Sequence, residues 1–363
     1  MKRITFTATL LSVLLAACGE PAAPTPDDAD TTSSAEVVIM TFNVENLFDN
    51  LDAPGKDDAT YLPLADKRDA AHVDGCNTIA VEAWRDSCLE LDWSDEAIDY
   101  KLAVVAESIL QVNDGRGPDI VALQEIENRD ILERLRTGYL QAAGYGPSIL
   151  IEGQDRRGID VAFLARLPVV GEPVLHPAEF PDHPDRQPDT RGVLQATFEL
   201  PGGALLTGFA VHFPAPFHPI EMREVAYGHL SRLRETLPAD HHVFAAGDFN
   251  TPRREADETP ILAEHVRPYW TIAHELGCDG CRGTNYWATG DSWSFLDMIL
   301  YAAPSGENAT WRIRADSVRI ANATPEQTRP DGTPRRFSRE PLAGVSDHWP
   351  LVMTLENFKN KSL

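Results

Sequence analysis

His242-Val243-Phe244-Ala245-Ala246-Gly247-Asp248-Phe249-Asn250 is the stretch that decides how this chain is read. His242–Ala246 is short and apolar, the pattern of a strand buried within a sheet. The strand then runs into Gly247, Asp248 and Asn250. Asp248 and Asn250 are two residues apart, so an extended chain places them on one side. A buried strand that ends in a carboxylate and an amide is how a rigid scaffold displays reactive groups.

Working outward, the same arrangement recurs. Val37–Val44, Asp119–Glu125, Asp160–Ala165, Leu205–Phe213, Phe295–Tyr301 and His348–Leu355 also read as buried strands, and Gly192–Leu200 follows Arg191 as another. Asn43, Glu125, His212 and Asp297 lie at or near the ends of these strands, and Ser346-Asp347-His348 leads into the last. Helical patterns fall between them. Ile98, Leu102, Val105, Ile109 and Val112 share one face of Glu96–Val112, with Ser94 placed as N-cap. Arg129–Ala143 and Pro219–Leu237 are the other expected helices. Irregular alternation of helices with nearly all-apolar strands predicts an α/β fold with helices layered over packed sheets, not a bundle or an all-β domain. No internal repeat is present. Residues 50–93 are polar, weakly periodic and carry Cys76 and Cys88, so they read as an insertion rather than a second domain. Glu326–Arg339 reads as a long polar loop.

The N-terminus carries an address. Lys2 and Arg3 precede an apolar run from Ile4 to Leu15, followed by Ala16-Ala17-Cys18. This pattern predicts a signal peptide over residues 1–17, too short to span a membrane with soluble flanks. Cys18 resembles the acylated cysteine of a bacterial lipoprotein, and Gly19 after it resembles those sent to the outer membrane. The alternative is an ordinary signal peptide and a secreted protein. Residues 18–35 hold little but Pro, Ala, Thr, Ser and Asp and read as a flexible tether. The folded domain is expected over 36–357, with a tail at 358–363. The expected location is the bacterial cell envelope, with membrane contact through the lipid anchor only and a monomeric chain.

Four cysteines remain beside Cys18. An even number in an exported chain predicts disulfides, with local pairing Cys76–Cys88 and Cys278–Cys281 preferred. A four-thiolate zinc site is the alternative; the long gap between Cys76 and Cys88 is unlike zinc-ligand spacing. Cys278 and Cys281 lack a thioredoxin-like setting for redox chemistry. The net charge of −24 argues against holding a polyanion through the whole surface but leaves room for a local basic groove.

The residues at the strand ends define a chemistry. Glu125, Asp248, Asn250, Asp297 and Asp347 offer hard oxygen atoms, and His212 and His348 offer imidazoles. No cysteine or serine nucleophile stands among them. Oxygen ligands suit Mg²⁺ or Mn²⁺, and such a cation neutralises charge developing on a phosphate ester. An imidazole backed by a carboxylate takes a proton from water. Each motif alone is weak. A lone strand histidine is more often a satisfied core residue, whereas Asp297 inside an apolar run is costly without a partner. Their joint occurrence in order at strand ends carries the reading.

The ordered set Thr41-Phe42-Asn43-Val44, Gln124-Glu125, Gly247-Asp248-Phe249-Asn250, Ser294-Phe295-Leu296-Asp297 and Ser346-Asp347-His348 resembles the endonuclease/exonuclease/phosphatase superfamily (pancreatic deoxyribonuclease-like), from about Glu36 to Glu356. The resemblance implies a four-layer α-β-β-α sandwich of two packed mixed β-sheets flanked by helices. It implies that Asn43, Glu125 and Asp347 form the metal site and that His348 is the base with Asp297 as partner. By the same resemblance His212, partnered by Asp160, is a second catalytic histidine, Asp248 and Asn250 orient nucleophile and phosphate, and Arg191 contacts phosphate. The insertion departs from the family pattern and puts the substrate's geometry in question.

Superfamily substrates range over nucleic acids, inositol phosphates and sphingomyelin. Two features favour DNA or RNA: the second histidine, and arginines gathered near the motifs. These are Arg156, Arg157, Arg253, Arg254, Arg329, Arg335, Arg336 and Arg339. Arginine runs are also the ordinary dress of a solvated face. A phosphatase or phospholipase/sphingomyelinase is the second reading, and an inactive surface binding protein the third. Tyr286, Trp287 and Trp293 offer rings for stacking on a base, though core packing is the commoner use of such residues.

Overall fold

In chain order the first strands are β1 (Glu36–Leu47), β2 (Ile120–Ile126), β3 (Ile149–Leu150), β4 (Asp160–Ala165), β5 (Val174–His176), β6 (Val193–Glu199), β7 (Leu205–His212) and β8 (His242–Asp248). They are followed by β9 (Thr271–Ile272), β10 (Asn285–Trp287), β11 (Ser292–Ser294), β12 (Asp297–Ala302), β13 (Trp311–Ile320), β14 (Ser338–Arg339), β15 (Leu342–Ala343) and β16 (Leu351–Asn357). The helices that matter here are α1 (Ala70–Asn77), α2 (Glu82–Glu90), α3 (Asp95–Leu110), α4 (Arg129–Arg134) and α5 (Ile220–Glu235). This computed structural model describes Met1 and residues 35–358. The expected signal peptide, Cys18, nearly all of the tether and residues 359–363 lie outside the described residues.

Two six-stranded sheets carry the fold. The first runs β13-β16-β1-β2-β4-β3 and the second β5-β6-β7-β8-β12-β9. Each has a single parallel pair, β1 with β2 and β7 with β8, while the remaining neighbours are antiparallel. Alternation along the strands explains the layers. In β1, Met40, Phe42 and Val44 pack with Ile98, Leu102 and Val105 of α3, whereas Val37 and Ile39 face the second sheet. In β8, Phe244 and Ala246 face the first sheet, whereas Val243 and Ala245 pack with Met222, Ala226 and Leu230 of α5. Both faces of both sheets are therefore apolar, which is why these strands lack the polar alternation of a half-solvated sheet. The architecture is the expected four-layer α-β-β-α sandwich of mixed sheets.

Each parallel pair needs a crossover, supplied by the insertion plus α3 in one sheet and by α5 in the other. Both crossovers leave the C-terminal ends of the paired strands free to display side chains, as open sheets with parallel strands do. Irregular pairing sharpens that display. Register shifts fall between Asn43 and Leu47 and between Gln124 and Ile126. Glu45, Asn46 and Glu125 take positive φ there, at 55°, 59° and 65°. Bulges of this kind re-aim side chains at strand ends. Gly247 is required: with φ at 159°, a Cβ on it would lie 1.9 Å from the Val211 carbonyl oxygen.

The cysteines form two disulfides, Cys76–Cys88 and Cys278–Cys281. The first joins α1 to α2 within the insertion. Some boundaries differ from expectation. Arg129–Ala143 is α4 followed by a π-helical turn over Leu135–Tyr139 and a 3-10 turn over Gln141–Ala143. Ser94 occupies the N-cap of α3 without a side-chain cap bond. β13 was not anticipated, because Arg312, Arg314 and Arg319 interrupt its apolar positions; it lies at a sheet edge, where charged strands are favoured. No helix among the described residues is long and apolar enough to cross a membrane.

Candidate active site

The strand ends of the two sheets meet. Asn43 on β1 donates its amide Nδ2 to Glu125 Oε1 at 3.2 Å and to Asp248 Oδ2 at 3.1 Å. Its Oδ1 accepts from Glu45 N at 3.0 Å. Asn43 thus ties the carboxylates of the two sheets together and turns its NH₂ group toward them, not its oxygen. Glu125 Oε2 accepts from Asn46 N at 2.9 Å. Asp248 Oδ1 accepts from Asn250 N at 2.8 Å, and Asn250 Nδ2 donates to Phe213 O at 3.0 Å. Asn250 takes a positive φ of 50° to do so.

His348 stands in the loop ahead of β16. Its Nδ1 donates to Asp297 Oδ2 at 2.6 Å, leaving Nε2 at 3.9 Å from both Asp248 Oδ2 and Asp347 Oδ1. Asp297 opens β12 directly opposite Asp248 on β8, which explains how the three groups converge. The backbone N of His348 donates to Ser346 Oγ, whose hydroxyl donates to Asn43 O at 2.7 Å. Burial opposes a charge on His348, yet Asp297 by charge and hydrogen bond, then Asp347 and Asp248, hold its pKa well above the usual value. Burial pushes the Asp248 carboxyl up to about 7, with His348 opposing and Asp297 adding to the shift.

His212, at the end of β7, faces the same cluster from the other side. Its Nε2 lies 3.6 Å from Asp248 Oδ2 and 3.9 Å from Glu125 Oε1. Its Nδ1 is buried without a hydrogen-bond partner. The tautomer with the proton on Nε2 therefore aims its donor at the carboxylates. Burial, then Arg191 and Arg157, hold its pKa well below the usual value. The expected hydrogen bond from His212 to Asp160 is not formed. Asp160 sits at the start of β4, where Oδ1 accepts from Gly153 N at 2.9 Å. Burial pushes this carboxyl up to about 7.

The two arginines expected at the phosphate differ. Arg191 is buried and used by the protein itself: Nη1 pairs with Asp155 at 3.3 Å and donates to Asp189 O, and Nη2 donates to Phe213 O. It is tied to the neighbouring loops through both Nη atoms, while its buried Nε has no hydrogen-bond partner. Arg157 is 47% exposed, with Nε 3.5 Å from Asp155 Oδ1. The wider arginine group is mostly ion-paired. Arg156, Arg253, Arg254, Arg335, Arg336 and Arg339 face Asp189, Asp257, Glu258, Glu326, Glu45 and Asp92, respectively. Most of these arginines thus have a carboxylate partner within the described residues. Trp293 is core packing, between Tyr286 and Trp349.

Two residues of the site, Glu45 and Lys101, escaped the sequence reading, and a third, Arg336, was read only as one of the arginines near the motifs. Glu45 accepts from Arg336 Nε at 2.6 Å, Asp347 N at 3.0 Å and Phe337 N at 3.2 Å, so it fastens the loop carrying Asp347 to β1. Burial, then Asp347, push its carboxyl up to about 7. Lys101 is fully buried on α3 and its Nζ donates to Glu45 O and Val345 O. Burial pushes it down to about 8, against Glu45, Asp347 and Glu125. Arg336 lies 3.6 Å from Asp347 Oδ2. The signals were there: Glu45 is two residues from Asn43 on one strand, and Lys101 interrupts the apolar face of α3.

The donor set fits a hard divalent cation. Asp248, Asp297 and His348 each bring an atom within 4.8 Å of the others, and Asp297 Oδ1 is buried with no partner. Glu125 and Asp347 add half-buried carboxylates. So many buried anions are costly unless cations compensate them.

This arrangement of sheets has relatives. The chain belongs to the Endonuclease/Exonuclease/phosphatase family, whose profile matches residues 91–348. Its fold is similar to that of an endonuclease/exonuclease/phosphatase family protein from Bacteroides thetaiotaomicron, with a TM-score of 0.53 and 15% identity, covering 89% of this chain and 98% of that one. It is also similar to truncated Caenorhabditis elegans TDP2, with a TM-score of 0.50 and 16% identity over 88% and 97% of the two chains. A mannosyl-6-phosphatase of Bacteroides thetaiotaomicron VPI-5482 gives a TM-score of 0.50 and 16% identity over 88% and 99%. No curated protein matches.

Proposed function

We propose that this protein is a divalent-metal-dependent phosphodiester hydrolase, exported on a lipid anchor, that acts as an endonuclease on DNA or RNA. The observation that carries the reading is the short His348–Asp297 hydrogen bond, with His348 Nε2 directed at Asp248 and Asp347. Asp297 fixes the imidazole so that Nε2 takes a proton from an attacking water. Asp248, held by Asn250 N and Asn43, orients that water through the carboxylate oxygen facing His348. His212 presents its Nε2 proton from the opposite side, toward the position of the leaving oxygen. Glu125 and Asp347 would hold the cation, with Asn43 fixing Glu125. Mg²⁺ or Mn²⁺ there supplies charge neutralisation for the phosphate and its leaving oxygen.

The second histidine favours a diester, because a pair of histidines at the site resembles the arrangement of the nuclease branch of the family. The ion pairing of the arginines favours a second reading, hydrolysis of small phosphate monoesters, since a long polyanion gains less from compensated charge. One experiment separates them. Purified protein is incubated with supercoiled plasmid, RNA, a phosphomonoester and sphingomyelin, with Mg²⁺ and with chelator. Chelator-sensitive nicking, lost in His348→Ala, is expected. Nicking that persists in excess chelator would remove the metal from the reading. Monoester turnover without nicking would replace the nuclease by a phosphatase.

A further inference from the structure

Lys101 has no part in the chemistry described so far. It lies on the buried face of α3, where Ile98, Lys101, Leu102 and Val105 fall at helical spacing, and it is fully buried. A buried ammonium is costly unless its donors are met. Here two donors go to backbone oxygens. Nζ donates to Glu45 O at 2.9 Å and to Val345 O at 2.5 Å. It also stands 4.8 Å from the centre of the Phe337 ring, as a cation over an aromatic face does.

Both carbonyls belong to segments that bring carboxylates and amides to the site. Glu45 lies in the bulge at the end of β1, two residues from Asn43, with a positive φ of 55°. Val345 is two residues ahead of Asp347. Other bonds already join these two segments to each other. Ser346 Oγ donates to Asn43 O at 2.7 Å, and Asp347 N donates to Glu45 Oε2 at 3.0 Å. Val345 N donates to Arg335 O at 2.9 Å. Lys101 adds a bond from α3 to each segment, so helix, strand bulge and loop meet at one nitrogen.

The choice of an ammonium has a reason. A neutral amide would serve two carbonyls at a lower cost of burial. Burial pushes the Lys101 pKa down, while Glu45, then Asp347 and Glu125, pull it up by their charge. A fixed cation behind a group of carboxylates offsets part of their mutual repulsion.

We propose that Lys101 is a positioning residue for the metal site: by holding the carbonyls of Glu45 and Val345 together it sets where Asp347 stands relative to Asn43 and Glu125, and thereby the affinity for the divalent cation. The proposal rests on the metal-dependent reading above. Lys101 makes no hydrogen bond to a side chain of the site, so it acts through these two backbone positions. Groups that hold metal-binding residues in place, without touching the metal, are commonly worth 10- to 100-fold in metal affinity.

Lys101→Met tests the strut, since it keeps the apolar stem and removes the donors and the charge. Arg166→Met is the control for general loss of rigidity. Arg166 also holds two backbone carbonyls, of Arg116 and Gly117, but it sits beside Asp119, at the opposite end of β2 from Glu125. Calorimetric binding of Mn²⁺ is read beside the Mn²⁺ concentration that half-activates hydrolysis of a small chromogenic phosphodiester. Lys101→Met is expected to weaken Mn²⁺ binding and raise the half-activating concentration about tenfold, with kcat at saturating Mn²⁺ changed less. Arg166→Met is expected to lower the melting temperature and leave Mn²⁺ affinity unchanged. If Lys101→Met does not fold, the same readings are taken on Lys101→Gln, which keeps N–H donors and loses the charge; the same direction of change is expected. Wild-type Mn²⁺ affinity in a folded Lys101 variant would overturn the strut and leave the hydrolase standing. Equal weakening in Arg166→Met would overturn it too. Weakened Mn²⁺ binding in the Lys101 variant of a protein that hydrolyses none of the esters would keep the strut and remove the hydrolase. A wild type that binds no Mn²⁺ would overturn the strut.

Discussion

His348 and His212 are both buried, both face Asp248, and both come from the ends of apolar strands or the loops beside them, yet the protein treats them oppositely. His348 has a carboxylate on Nδ1 at 2.6 Å and is held toward its charged form. His212 has no partner on Nδ1 and is held neutral, with Arg191 and Arg157 adding to the effect of burial. The difference does not come from residue type or depth. It comes from which carboxylate completes a hydrogen bond. Asp297 turns to His348, whereas Asp160 turns to Gly153 N. One histidine is thereby prepared to hold and move a proton, and the other to donate a hydrogen bond without charge.

This contrast can be broken by experiment. The largest expected effect is in His348→Ala, a loss of about 10³-fold or more in kcat on a phosphodiester, in line with removal of a positioned general base. Asp297→Asn should cost about 10²-fold, because it disturbs the tautomer and orientation of His348. His212→Gln keeps a donor near Nε2 and should cost less than His348→Ala. Asp160→Asn should stay within about threefold, as expected of a residue that bonds only a backbone amide. If Asp160→Asn proves as damaging as Asp297→Asn, the two histidines work alike and Asp160 must turn to His212 during turnover.

A third buried histidine sharpens the point away from the site. Burial pushes His242 down from 6.5 to about 4, and its Nδ1 contacts the Tyr301 hydroxyl at 2.6 Å. A folded-state value below that of the unfolded chain means that the unfolded chain binds protons first as pH falls. The contribution of His242 to stability is present above 6.5 and is lost toward 4. Unfolding midpoints measured from pH 7 to 4 should therefore fall less steeply in His242→Gln than in the wild type. His274, also pushed down to about 4 by burial, leaves a residual slope of the same sign. An unchanged slope would show that His242 is hydrated in the native state.

Much of this was legible in one dimension. Strand cores such as Asp160–Ala165 and His242–Ala246 stand out because burial on both faces leaves only apolar residues, and the side-chain period of two places Asp248 with Asn250. β13 did not stand out, since an edge strand tolerates the arginines that mask its pattern. That Asp297 needs a partner was legible because an Asp amid apolar residues is costly alone, and the family resemblance implied that the partner is His348. The strut role of Arg191 was not, because a guanidinium looks the same in sequence whether it meets a phosphate or Asp155.

The amino-acid sequence by itself determined the kinds of groups in the site and the strand ends that carry them, because hydrophobic period and residue chemistry are local properties. Only the tertiary structure decided who partners whom. Asn43 reaches Asp248 across 205 residues, and His348 reaches Asp297 across 51. Hydrogen bonds act over about 3 Å, so their partners are set by how two sheets pack. That packing gave His348 its carboxylate and left His212 Nδ1 without one.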